Sequence, residues 1–220
     1  MKTKLFSMLL MMAACVCISS CSDDKDDDSS SVVGTWDGGT YPLLCTLSFY
    51  ENGTGEEILY NYPSDVLMNF TYSPVDKTTG TISGGTKYTI EGNKMYLGDK
   101  HTSFYTKRAK GEKFAYPIKL LYGEWDVKYV YDGTSMQDVT TNGYHMSFTF
   151  AKDGTYEERT NDKALISGTY EVEGFKMKSY VNDKLRMEYL VTALTDDILD
   201  MVVYMPLADF QIRYRAQRVK

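Results

Sequence analysis

Histidine and cysteine are scarce in this chain of 220 residues, which has two histidines and four cysteines. His101 and His145 stand far apart, and neither accompanies a nucleophile, an acid or a second metal ligand. A metal site would show His, Cys or carboxylate ligands at characteristic spacing, and none is present. The sequence also lacks a Gly-rich phosphate loop and a Gly-x-Ser-x-Gly elbow. We therefore expect no enzyme activity, no cofactor and no metal.

An excess of positive charge is also missing, since 24 Lys and Arg face 30 Asp and Glu. Residues 1–20 contain only Lys2 and Lys4 as charged residues, so the remainder has 22 basic and 30 acidic residues and a net charge of −8. A nucleic-acid partner requires a concentrated basic face. The best candidate, the group Arg213, Arg215 and Arg218, has the alternation of an exposed face on a last strand. We expect no nucleic-acid partner.

A long apolar run is absent as well. The apolar stretch over residues 5–18 has 14 positions, whereas a helix needs about 20 to cross a bilayer. Lys2 and Lys4 precede this stretch, and the small residues Ser19 and Ser20 follow it. This order of basic, apolar and small residues is typical of a removable export signal, and we predict a signal peptide over residues 1–20.

Cys21 ends the stretch Ile18-Ser19-Ser20-Cys21, which resembles the lipobox of bacterial lipoproteins. The resemblance implies cleavage before Cys21 and a membrane anchor of diacylglyceryl and acyl chains, such as palmitate, on that cysteine. The alternative is an ordinary secretory signal with a cysteine nearby.

The acidic stretch over residues 23–28 follows directly and is too polar to fold, so we predict a tether over residues 21–31. It resembles the signal that sends Bacteroidetes-type lipoproteins to the outer face of the outer membrane, and we expect surface exposure there.

Cys45 is then the one cysteine with a free thiol in the mature chain, because Cys15 and Cys17 leave with the signal and Cys21 carries the lipid. An exported domain with a single cysteine has no internal disulfide, so its stability has to come from its core. Cys45 alternates with Leu47 and Phe49, which predicts a small buried hydrophobe.

An internal repeat is the second strong pattern. Three blocks occur twice in the same order, at residues 34–37, 47–57 and 88–95 and again at residues 123–126, 148–158 and 170–177. The second block contains Asn52-Gly53 or Asp153-Gly154, dipeptides that favour tight hairpin turns through positive φ angles. The third block matches Tyr88 with Tyr170 as equivalent strand positions. No stretch of the mature chain has a sustained helical period.

The fold class predicted from these patterns is all-β, with two tandem antiparallel meander modules over residues 32–110 and 119–220. The spacing indicates an extra hairpin within residues 60–85 of the first copy and an insertion after the first strand of the second copy. The Gly-x-Trp openings, the hairpins and the late Leu-Thr-Asp-Asp-x-Leu phrase resemble the lipocalin-like domains of Bacteroidetes lipoproteins. That resemblance implies lipocalin-like barrels or flattened barrel-like sandwiches, and the first copy is small for an eight-stranded barrel with a ligand lumen.

The resemblance gives structural roles to the Gly-x-Trp positions Gly34, Trp36, Gly123 and Trp125. Each tryptophan would close one end of its barrel, bury its ring and find a partner for its N–H. The adjacent glutamates at 56–57 and 157–158 resemble a glycosidase pair, but neighbours on a strand point to opposite faces and cannot share one site.

Two functions remain open. The first is a non-enzymatic surface protein that binds a small apolar or amphipathic ligand or a glycan, with Tyr60, Tyr62 and Tyr72 as the candidate contacts. The second is a structural or protein-interaction module of the cell envelope, with an envelope protein as partner.

Overall fold

The structure, a computed structural model, describes residues 31–220 apart from 62, 63, 100–102, 132, 162 and 207. Short 3-10 helices are present at Ile118–Leu120 and Thr140–Asn142, and the described ranges contain no α-helix. Nothing in these ranges is a helix of the length and apolarity that a membrane span requires. The predicted signal peptide and Cys21 lie outside the described residues.

The first barrel is a closed ring of eight antiparallel strands in sequence order. Its strands are β1 (Gly34–Gly38), β2 (Cys45–Phe49), β3 (Thr54–Leu59), β4 (Val66–Pro74), β5 (Thr79–Ile82), β6 (Thr86–Glu91), β7 (Lys94–Leu97) and β8 (Phe104–Lys107). Pairing of β1 with β8 closes the ring. The hairpin predicted within residues 60–85 is present as β4 and β5, but it is not an addition, because both strands are members of the ring.

The second barrel closes in the same way, through pairing of its last strand with its first. Its strands are β9 (Gly123–Tyr131), β11 (Met146–Phe150), β12 (Thr155–Thr160), β13 (Lys163–Glu173), β14 (Lys176–Val181), β15 (Lys184–Leu194), β16 (Ile198–Met205) and β17 (Phe210–Arg218). The insertion predicted in this copy contains β10 (Met136–Asp138), which pairs with β9. The prediction of two tandem antiparallel β modules is confirmed.

Both barrels are built on the alternation seen in the sequence. In β2, Leu47 and Phe49 face the interior, and in β11 Phe148 and Phe150 do the same. The hairpin turns after these strands need the left-handed backbone only at the glycines, with φ of 79° at Gly53 and 85° at Gly154. Because a glycine adopts such angles without strain, the repeated turns are specified locally.

The structure changes the match of the third repeated block, which pairs Tyr88 with Tyr170. The Tyr72 hydroxyl donates to the Tyr50 carbonyl at 2.6 Å, and the Tyr170 hydroxyl donates to the Ala151 carbonyl at 2.8 Å. The predicted equivalence of Tyr88 and Tyr170 is therefore wrong, and β13 is the counterpart of β4. The error arose because the β6–β7 hairpin has a similar sequence to the β13–β14 hairpin without occupying the same place in the ring.

The barrels also pack against each other. Leu44 and Tyr60 of the first barrel form one buried apolar cluster with Phe175, Leu190 and Val202 of the second. Phe114, in the connecting segment, forms a parallel bridge with Gly174 at the β13–β14 turn. This contact places the outer face of β13 and β14 beside the first barrel.

Candidate functional site

Trp36 and Trp125 occupy the same position in the two barrels. Both are fully buried, and each indole N–H donates at 2.8 Å to the carbonyl four residues earlier, Val32 and Leu121. Basic side chains from the closing strands lie over the rings, Lys107 over Trp36 and Arg218 over Trp125. These contacts leave no ring face for a ligand, so the tryptophans are structural.

Gly34 and Gly123 stand opposite Phe49 and Phe150 in the two ladders, with φ of 126° and 122°. A Cβ at Gly123 would lie 2.8 Å from the Arg218 guanidinium, and one at Gly34 would lie 3.3 Å from the Lys107 side chain. The glycines therefore make room for the basic side chains that cover the tryptophans.

The paired glutamates separate as expected for neighbours on a strand. Glu56 accepts a hydrogen bond from the Tyr50 hydroxyl at 2.8 Å on the outside, and Glu157 accepts one from Arg159 at 2.5 Å. Glu57 stands opposite Leu47 and Glu158 opposite Phe148, both core positions, so these two face the barrel interiors. Each barrel thus carries one inward carboxylate at the same place in its repeat.

Glu158 belongs to a group of polar side chains inside the second barrel, which we name the inner polar cluster: Tyr156, Glu158, Ser179, Arg186 and Tyr189. Glu158 is 4% exposed, and its Oε2 lies 3.8 Å from the Arg186 guanidinium, beyond hydrogen-bond distance. Among the described residues no group hydrogen bonds to Glu158 Oε2, Arg186 Nε or the Tyr156 hydroxyl. Three buried polar atoms therefore have unused capacity at one place.

The electrostatics of this cluster follow from burial. Burial raises the pKa of Glu158, and the Arg186 guanidinium opposes that rise. Burial likewise raises the pKa of Tyr156 and Tyr189. Unsatisfied buried polar groups each destabilise a fold by about 1–3 kcal/mol, so a group that hydrogen bonds to them would be bound favourably.

The surroundings of the inner polar cluster are apolar. Tyr189 donates to Met187 Sδ at 3.5 Å, and Met146 and Met187 belong to the same buried core. The Arg186 side chain is 34% exposed, so the cluster reaches solvent on that side. The inner polar cluster thus joins a few converging polar groups to apolar surroundings.

In the first barrel, the corresponding region contains Glu57, Cys45 and Tyr105. Cys45 donates to the Tyr105 hydroxyl at 3.3 Å, and burial raises the pKa of the thiol to about 11. Cys45 is 3% exposed and free, as predicted for a small buried hydrophobe. Burial also raises the pKa of Glu57, and among the described residues no cation opposes that rise as Arg186 does for Glu158.

Of the tyrosines proposed as ligand contacts, Tyr60 and Tyr72 lie in the described part of the chain, and they belong to different buried clusters. Tyr72 is 8% exposed, and its hydroxyl is used within the hairpin turn. Tyr60 is 5% exposed at the contact between the barrels, where its hydroxyl lies 2.9 Å from Thr46 Oγ1. Tyr62 lies outside the described residues. The Tyr72 ring packs edge-on against Phe49 in the core.

Sequence reasoning missed Arg186 and Tyr156. Strict alternation in β15 separates Arg186 from the inward Met187 and Tyr189, but the register shifts between Ser179 and Tyr180 in the facing strand. Bulges of this kind redirect side chains, and no short motif marks this one. Within the described part of the chain, no three His, Cys, Asp or Glu side chains form a group that could hold a metal ion.

Comparisons with known proteins give little. No family model matches the chain, and no curated protein matches it. The chain is similar to a crystal structure from Nostoc punctiforme, that of a protein with unknown function from the DUF3598 family. The two sequences are 12% identical, the match covers 89% of this chain and 100% of that chain, and the TM-score is 0.28. The likeness is too distant to indicate a function.

Proposed function

We propose that this chain is a non-enzymatic lipoprotein of the bacterial outer-membrane surface that binds a small amphipathic ligand in its second barrel. The observation that carries the binding proposal is the inner polar cluster, in which Glu158, Arg186 and Tyr156 place unused hydrogen-bonding atoms inside an apolar interior. The anchor at Cys21 and the surface location rest on the export signal and the acidic tether.

The cluster favours a neutral polar group on the ligand. Glu158 offers an acceptor, Arg186 offers a donor and Tyr156 offers either. A carboxylate placed here would face the Glu158 carboxylate and be repelled, whereas a primary amide or a hydroxyl both donates and accepts. We infer an apolar body with an amide or alcohol end.

Titration with octanamide, followed by calorimetry, tests this proposal, with octanoate as the charged comparison. Glu158→Leu removes the acceptor and should weaken octanamide binding about tenfold, since a hydrogen bond to a charged group contributes about 1.5–3 kcal/mol. Glu57→Leu makes the same change at the repeat position in the first barrel and should leave binding unchanged. Equal affinity of wild type and Glu158→Leu, or tighter binding of octanoate, would contradict the proposal.

A protein-interaction role is the second candidate, and one observation favours it. Strand β4 exposes three consecutive apolar side chains, Val66, Leu67 and Met68, at 45%, 59% and 43%. Exposed apolar stretches of this kind are typical of contact surfaces. Recovery of one envelope protein by the wild type, but not by a Leu67→Lys variant, would support this role.

A further inference from the structure

A cleft of about 800 Å³ lies between the two barrels. Its floor is the outer face of β13 and β14, and one wall is the segment that follows β8, with Arg108, Glu112 and Lys113. The other wall comes from the end of β3 and the loop between β3 and β4, with Ile58, Tyr60 and Asp65. Lys152 lies beside the cleft at the β11–β12 turn. The volume falls within the range of about 300–1,000 Å³ that is usual for ligand sites.

The cleft is held in place from both sides. Lys176 on the floor forms an ion pair with Asp65 of the opposite wall at 2.8 Å, with 11% and 29% of the two side chains exposed. The Ala115 amide donates to the Gly174 carbonyl at 2.7 Å, and the Tyr60 and Phe175 rings contact edge to face. A ligand would therefore meet walls that are already positioned, which reduces the entropy lost on binding.

The charges of the cleft nearly balance, since five basic and four acidic side chains line it. On the floor, Glu171 stands opposite Lys178 and Glu173 opposite Lys176. Among the described residues, Lys152 and Lys113 have no ion-pair partner within 4.0 Å, and neither have Glu112 and Glu173. With a lining so close to neutral, the cleft gives little net attraction to a charged polymer. It instead offers donors and acceptors side by side.

The floor cannot take an added strand. Strand β13 is paired with β12 and β14, and β14 is also paired with β15, so the backbone groups of both strands are used within the ring. Recognition of an extended peptide by strand addition requires a free edge. The contacts available to a ligand are therefore side chains.

We propose that this cleft is a second binding site, separate from the inner polar cluster, and that it takes a neutral oligosaccharide. Sugar hydroxyls both donate and accept, which suits a floor of alternating ammonium and carboxylate groups. Tyr180, which stands opposite Thr169 on the floor and donates to Glu171 at 3.3 Å, adds a ring with a polar tip.

The test is calorimetric titration of the purified chain with maltotriose, cellotriose and the anionic trigalacturonate. At least one neutral trisaccharide should bind saturably at millimolar concentration or below, and trigalacturonate should bind no more tightly. Glu173→Ala, which removes an uncommitted acceptor from the floor, should weaken the neutral trisaccharide about tenfold.

Glu91→Ala is the matched control, because Glu91 stands opposite Lys94 in the β6–β7 hairpin as Glu173 stands opposite Lys176. It should leave the affinity unchanged. Unfolding curves of both variants separate a folding defect from a lost contact. Absence of binding by the neutral sugars, tighter binding of trigalacturonate, or equal affinities of wild type and folded Glu173→Ala would overturn the proposal.

Discussion

Trp36 and Trp125 anchor two barrels with the same ring closure, yet the strands around them differ in length. Strands β13 and β15 each have eleven residues, whereas the longest strand of the first barrel, β4, has nine and β5, β7 and β8 have four. Glu158 in the second barrel is buried and lies near Arg186, while Glu57 at the equivalent position of the first barrel is half-buried. The two equivalent inward carboxylates therefore differ in burial, and Glu158 is the one that lies near a cation.

The largest loss of stability should come from replacing the tryptophans. The two substitutions together test whether the two barrel ends are equivalent. Trp36→Ala and Trp125→Ala should each lower the free energy of unfolding by about 3–5 kcal/mol, because each removes a fully buried ring. Urea unfolding measures this change, and the fluorescence of the remaining tryptophan reports on the other barrel. A loss below about 1 kcal/mol at either position would show that the ring does not close that barrel end.

Cys45 gives a probe of the first barrel alone. In a chain that begins at Ser22, Cys45 is the only cysteine. Its pKa of about 11, raised by burial, should make alkylation by iodoacetamide at pH 8 slower by on the order of a hundredfold in the folded chain than in urea. Equal rates would show that the interior of the first barrel is open to reagents.

Gly174 tests the contact between the barrels. It has φ of 57°, and an added Cβ would lie 1.7 Å from the Tyr60 hydroxyl. Gly92 has φ of 62° with nothing near its Cβ position, which makes Gly92→Ala the matched control for backbone strain. Gly174→Ala should be less stable than Gly92→Ala by about 1–3 kcal/mol in urea unfolding. Equal losses would mean that the barrels separate without a cost in stability.

The smallest effect is the pH dependence of the inward carboxylates. Because the folded pKa of Glu158 is raised, its favourable contribution is present below the unfolded pKa of about 4.3 and is lost as the pH rises through the folded value. Glu158→Gln should therefore be more stable than wild type at pH 7, by about 1 kcal/mol, and equal to it near pH 4. Urea unfolding at several pH values measures the difference.

Glu57→Gln should show the same sign, since burial raises the pKa of Glu57 too. Arg186→Met should steepen the loss of stability with pH, because it removes the cation that opposes the shift of Glu158. A wild-type stability that rises with pH between 4 and 7 through Glu158 would contradict this account.

Much of the fold could be predicted from local patterns. The hairpin at Asp153-Gly154, the buried tryptophans and the opposite orientation of Glu157 and Glu158 follow from turn chemistry and strand alternation. The place of Tyr170 in the ring could not, because two hairpins of similar sequence competed for the same match. Ring membership depends on long-range pairing, which short blocks do not encode.

The candidate site was less predictable than the fold. Glu158 could be identified as one member of a pair on a strand, but Arg186 approaches it through a register shift between β14 and β15. The cleft between the barrels depends on how Gly174, Phe114 and Tyr60 meet across the module boundary. Neither arrangement has a sequence motif of its own.

The most direct test of the central claim is an NMR titration of the chain, labelled at its methionine methyl groups, with octanamide. Met146 and Met187 lie in the core of the second barrel, and Met95 lies in the core of the first. The account predicts that the Met146 and Met187 signals shift saturably while the Met95 signal does not, and that Glu158→Leu raises the octanamide concentration at the midpoint of the shifts about tenfold. Unchanged methionine signals, or shifts confined to Met95, would contradict a ligand site in the second barrel.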